Sequence, residues 1–133
     1  MKAPRLIVDG MNVIGSRPDR WWRDREGAMR ALVAKLEAYE RETGEHVTVV
    51  LDANPFEVAS TAKGGVQVVF ASPAVRDAAD DEIVQMLEAD PEPGCARVVT
   101  SDSGLAARVE ALGATVLTAG RFRDRLDELE DPA

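Results

Sequence analysis

Short uninterrupted apolar runs alternate with longer stretches of helical periodicity along this chain, and that pattern suits a layered α/β sheet. The runs are 5–8, Val47 to Leu51, Val66 to Ala71, Arg97 to Ser101 and a shorter one at Thr115 to Thr118. A strand with one wet face alternates apolar and polar residues. These runs barely alternate, as expected of strands covered on both faces. Between them lie segments with helical spacing: Met29, Leu32, Leu36 and Tyr39 within about 25–43, Ile83, Met86 and Leu87 within about 79–89, then Leu105, Val109 and Leu112, and a last segment at 121–130. Gly44 and Gly113 stand where helices end. Loops are expected after the first strand (Gly10, Gly15, Pro18), at 53–65 with room for a short helix, and at 90–94. The expected architecture is a single domain over 1–133. It is a three-layer α/β/α sandwich with a mainly parallel central sheet and right-handed crossovers.

Three of the runs end in an acid: Asp9, Asp52 and Asp102. A fourth acid, Asp80, opens a helix shortly after another run. Each has an ordinary explanation. Asp-Gly and Asp-Ala-Asn suit turns, Asp102 suits a helix N-cap, and Asp80 suits the positive end of a helix dipole. Taken together they point elsewhere. The carboxyl ends of parallel strands share one edge, where ligands bind. Several carboxylates there repel one another unless protons or cations compensate. Mg²⁺ or Mn²⁺ suits an all-oxygen site. Metal-assisted hydrolysis of a phosphodiester is the chemistry such a pocket supports. Asn12, close to Asp9, adds a neutral oxygen or a donor.

Several classes drop out. Cys95 is the only cysteine and His46 the only histidine, which leaves little for disulfides, zinc or serine/cysteine–histidine catalysis. Neither GxxxxGK[ST] nor GxGxxG is present, against NTPase and dinucleotide sites. No apolar stretch reaches the ~20 residues of a membrane span. Asp9 cuts short the first apolar run, against a signal peptide, so a cytoplasmic location is expected. The net charge of −8 is unusual for a nucleic-acid partner. The clustered acids, offset by bound metal, account for part of it. A monomer and a homo-oligomer are both compatible with the sequence.

The segments 6–15 (Leu-Ile-Val-Asp-Gly-Met-Asn-Val-Ile-Gly), 49–53 (Val-Val-Leu-Asp-Ala), 66–70 (Val-Gln-Val-Val-Phe), 79–83 (Ala-Asp-Asp-Glu-Ile) and 98–102 (Val-Val-Thr-Ser-Asp) resemble, in order and spacing, the YacP-type NYN domain of the PIN-like metal-dependent nucleases. The resemblance covers about residues 5–122. It implies a PIN-like fold, endoribonuclease activity leaving a 5′-phosphate, one or two Mg²⁺ or Mn²⁺ ions, and cleavage of mRNA on translating ribosomes. It carries the acidic pocket over to Asp9, Asp52, Asp80 and Asp102, with Asn12 and Ser101 as polar helpers. On this reading Asp9, Asp80 and Asp102 hold the metal and Asp52 completes the cluster.

For RNA contact the sequence offers Arg17, Arg20, Trp21, Trp22, Arg23 and Arg25 in the segment leaving Asp9, with Lys63 and Arg76 elsewhere. Arginines suit phosphates and an exposed tryptophan suits a base. At least one tryptophan is expected to anchor the helix start instead. Three rival readings remain: an RNA- or ribosome-binding module that does not cut, a phosphohydrolase of small substrates, and a phospho-acceptor domain. The last is weakened because no lysine follows Lys63.

Overall fold

The structure is a computed structural model, and it describes residues 4–56 and 65–130, excepting the Glu130 side chain. Five strands form one sheet: β1 (Arg5–Asp9), β2 (His46–Asp52), β3 (Gln67–Ala71), β4 (Ala96–Val99) and β5 (Thr115–Leu117). Their spatial order is β3-β2-β1-β4-β5 and every pairing is parallel. The helices are α1 (Gly10–Gly15), α2 (Arg25–Thr43), α3 (Ala78–Glu88), α4 (Ser103–Ala111) and α5 (Ala119–Glu130).

Strand parity sorts the core into two halves. Leu6, Val8, Val47, Val49 and Leu51 face one way, onto α1, α2 and α5. Ile7, Val50 and Val98 face the other, onto α3 and α4. Both faces are apolar because both are covered, which is why the runs do not alternate. The expected three-layer sandwich is therefore the observed one. The β1–β2 connection, through α1 and α2, and the β3–β4 and β4–β5 connections, through α3 and α4, use opposite faces, as crossovers of a single hand require. The reversal falls between β1 and β4, and such a switch point opens a crevice beyond the strand ends.

The segment after Asp9 departs from expectation. A loop was expected there, and a short helix, α1, begins at Gly10 instead. Its Val13 and Ile14 are buried against α2 and α5, so tertiary packing overrides the turn propensity of Asp-Gly. Gly10 permits this because a Cβ there would lie 2.6 Å from Leu51 Cδ2 and 2.9 Å from the Val50 carbonyl oxygen. The 53–65 loop falls mostly on residues 57–64, outside the described residues. Elsewhere the boundaries differ by one to two residues. The fourth strand stops at Val99, so Thr100 and Ser101 lie beyond it.

Candidate active site

Asp9 ends the central strand, and its carboxylate does not cap α1. Instead Thr100 Oγ1 donates to Asp9 Oδ2 at 2.9 Å, and that hydroxyl accepts from the Asp102 backbone N–H at 3.1 Å. The register explains the contact: Val8 pairs with Val99, so the next residue on each chain, Asp9 and Thr100, also meet. Asp9 is only 6% exposed. Its pKa is pushed up to about 6, chiefly by burial, against the Thr100 hydrogen bond, with the charges of Asp80, Asp52 and Asp102 adding to the rise.

A pocket of about 500 Å³ opens over these groups, with Asp9, Asn12, Asp52, Asp80 and Asp102 in its wall. Asp52 ends β2 and is half-buried; burial raises its pKa, while Arg25 pulls it down. Asp80, in the first turn of α3, is raised by burial and then by Asp102 and Asp77, and Arg108 opposes this. The four aspartates singled out from the sequence thus share one electrostatic field. They ring the pocket without closing on one point. Among the described residues no group of three His, Cys, Asp or Glu side chains is close enough to clasp an ion directly.

Asp102 combines the ordinary role with the site. Its side chain caps α4 by accepting from Gly104 N at 2.8 Å and Leu105 N at 3.2 Å. Asp102→Ala should therefore cost about 1 kcal/mol in urea unfolding, whereas Asp102→Asn, which keeps the acceptor, should cost a few tenths. Equal losses in the two variants would contradict the cap.

Asn12 Oδ1 accepts from the Ser101 backbone N–H at 2.8 Å. The oxygen is thereby committed to tying α1 to the end of β4, and the NH₂ end is the one that can donate elsewhere. Ser101 itself is not in the pocket wall. Its Oγ accepts from Ala119 N at 2.9 Å, which fixes the start of α5. Thr100, one residue earlier, is the hydroxyl that reaches Asp9. Sequence reasoning could not separate the two, because the choice depends on which strand lies beside β1. Ser101→Ala should cost about 1 kcal/mol in thermal or urea unfolding. An unchanged stability would show that this hydroxyl does not hold the start of α5.

The basic and aromatic candidates are divided. Arg17 pairs with Asp127 of α5 at 2.6 Å and lines a separate small cleft between α1, α2 and α5. Arg20 is exposed, with a left-handed backbone (φ 57°), before the 3₁₀ turn at Trp21–Arg23. Arg23 is exposed in that turn. Trp21 packs against the core, as expected of one tryptophan, and Trp22 is the exposed one. Arg76 is on the pocket wall and Lys63 lies outside the described residues. Arg25, the first residue of α2, also lines the pocket. Nothing in its local sequence distinguishes it from its neighbouring arginines.

Similarity to known proteins agrees with this geometry. A search of curated proteins finds no match. Among solved structures, two crystal structures of Rae1 (YacP) from Bacillus subtilis align with this chain. One, a tryptophan-to-leucine mutant, shows 26% identity and a TM-score of 0.78, over 97% of this chain and 78% of the other. The second also shows 26% identity, with a TM-score of 0.76 over 99% and 77%. The YacP-like NYN domain family matches residues 6–133. With its five-stranded parallel sheet and an acidic pocket at the switch point, this chain belongs to the YacP-like NYN domain family, which has a nuclease-like fold.

Proposed function

We propose that this chain is a metal-dependent endoribonuclease that hydrolyses RNA phosphodiesters, with ribosome-associated mRNA the first substrate to test. One observation carries the reading: a buried aspartate at the end of the central strand shares its field with three further aspartates around one open pocket. The donor set is all oxygen and highly acidic, which fits Mg²⁺ or Mn²⁺. An open ring fits Mg²⁺ in particular, since that ion gives up its water reluctantly and is commonly held by only one or two carboxylates. Asp9, Asp80 and Asp102 would hold it, directly or through water.

A bound divalent ion supplies stabilisation of phosphoryl charge and lowers the pKa of water for attack on phosphorus. The chain's own residues do the rest. Thr100 fixes the Asp9 carboxylate through Oδ2, so its other oxygen faces a defined direction. Asp52 adds negative charge that raises the Asp9 pKa and would likewise attract a cation into the pocket. The Asn12 NH₂ group is suited to donate to a non-bridging phosphate oxygen, its Oδ1 being held by Ser101 N. Attack of water on phosphorus with the P–O3′ bond breaking would leave a 3′-hydroxyl on the upstream product, which takes up a proton, and the 5′-phosphate on the downstream product.

Among the described residues no helix is long and apolar enough to cross a membrane. A cytoplasmic location remains part of the proposal.

The test is cleavage of mixed-sequence RNA and of mRNA on ribosomes with Mg²⁺, Mn²⁺ or EDTA. Cutting that needs the metal and is lost in Asp9→Asn supports the reading. Metal binding without cutting on either substrate favours a non-catalytic RNA- or ribosome-binding module.

A further inference from the structure

Among the described residues two large hydrophobic side chains are strongly exposed, Trp22 at 58% and Val75 at 57%. Val75 is in the wall of the acid pocket next to Arg76. Trp22 is outside that wall and is linked to it through a chain of ring contacts. Arg25, also in the wall, has its guanidinium carbon 5.3 Å from the Trp21 ring centroid. Trp21 packs on the core and meets Trp22 edge-on at 6.1 Å. The intervening Asp24 caps α2 by accepting from Gly27 N at 3.0 Å, which fixes the backbone joining Trp22 to Arg25.

Charge gives these contacts an occupant. The wall carries five aspartates, Asp77 included, and among its described residues only Arg25 and Arg76 are basic. A phosphate approaching this pocket is repelled except at the cations. Arg25 is the better held of the two, because Trp21 orders its long side chain and reduces the entropy lost on binding. Arg76 has a side chain 97% exposed, with Asp77 at 3.9 Å.

We propose that Arg25 and Trp22 form a substrate-positioning clamp, in which Arg25 takes an RNA phosphate next to the scissile one and Trp22 stacks the adjacent base. The clamp rests on the reading of the pocket as an RNA site, and it assigns the binding step to residues outside the acidic cluster. It needs an unpaired base at Trp22, because only an unstacked base offers its face to a ring. Discrimination between nucleotides there is weak, since every base has such a face.

The experiment uses the full chain in an Asp9→Asn background with Mg²⁺, titrated with a short unstructured RNA oligonucleotide while tryptophan emission is followed. Emission should be quenched on binding. Trp22→Phe should remove most of the quenching, and Trp22→Ala should weaken binding roughly 5- to 100-fold. Arg25→Ala should weaken binding and lower the salt slope by about one phosphate contact. Trp22 is exposed, so Trp22→Phe should keep its fold, and circular dichroism checks this. Binding whose quenching persists in Trp22→Phe and whose affinity is unchanged in Arg25→Ala would overturn the clamp, as would no binding at all. Cleavage by the native chain is scored separately. Cutting without Trp22-dependent quenching leaves the nuclease and removes the clamp. Trp22-dependent quenching without cutting leaves the clamp and removes the nuclease.

Discussion

Asp9→Asn should make the metal-free protein more stable at neutral pH while abolishing cleavage. The Asp9 pKa rises from 3.8 to about 6 in the folded state, mainly because burial penalises its charge. A raised acid binds its proton more tightly when folded. Its contribution to stability is fully present below about pH 4 and is lost as pH rises through about 6. Asparagine is neutral throughout and still offers an acceptor to the Thr100 hydroxyl. In EDTA the variant should therefore gain about 2–3 kcal/mol at pH 7.5 and almost nothing at pH 4, at about 1.4 kcal/mol per pKa unit. Urea unfolding at the two pH values measures it, and an equal effect at both would refute the electrostatic cause. If Asp9 holds Mg²⁺ as proposed, saturating Mg²⁺ should stabilise the native chain more than the variant. The loss of cleavage should exceed the roughly 10- to 100-fold that disturbing an outer-shell partner of a metal site usually costs. Greater stability with lost activity separates a site residue from a folding residue.

Gly10→Ala should have the opposite character. The added Cβ would meet the Val50 carbonyl oxygen at 2.9 Å and Leu51 Cδ2 at 2.6 Å, both in the central sheet. Leu51 is fully buried, so its methyl has little room to yield, and the carbonyl belongs to β2. Overpacking of this kind costs about 1–3 kcal/mol, and occasionally more. The upper part of that range is expected here, because a backbone atom is involved. In a domain of this size it corresponds to a fall in Tm of about 10 °C. Activity per folded molecule should fall as well, since displacing α1 moves Asn12 and strains the approach to Asp9. A variant with unchanged Tm would show that α1 can shift away from β2 freely.

The two substitutions are adjacent in sequence and act through different links. At position 9 the sequence specifies a charge, and the fold determines its energetic cost. At position 10 it specifies the absence of a side chain, and the fold determines why none is tolerated. An Asp-Gly pair reads as a turn on local propensity alone. Here it is a strand end followed by a helix, because the apolar side of α1 is buried on α2 and α5.

The sequence by itself determined the layering. Runs such as Val47 to Leu51 need cover on both faces, and the periodic segments between them supply it. It also determined the chemistry on offer: aspartates at strand ends, one cysteine, one histidine and no phosphate loop. What only the tertiary structure decided was which of these groups meet. Strand order is a long-range property, and β1 between β2 and β4 is what brings Asp9 beside Thr100 in place of Ser101. The same holds for the two tryptophans. They are neighbours in sequence, and only the packing of the Trp21–Arg23 turn half-buries the first against the core and leaves the second in solvent. Period and composition are local and can be read along the chain, whereas adjacency across the sheet exists only after the strands have chosen their neighbours.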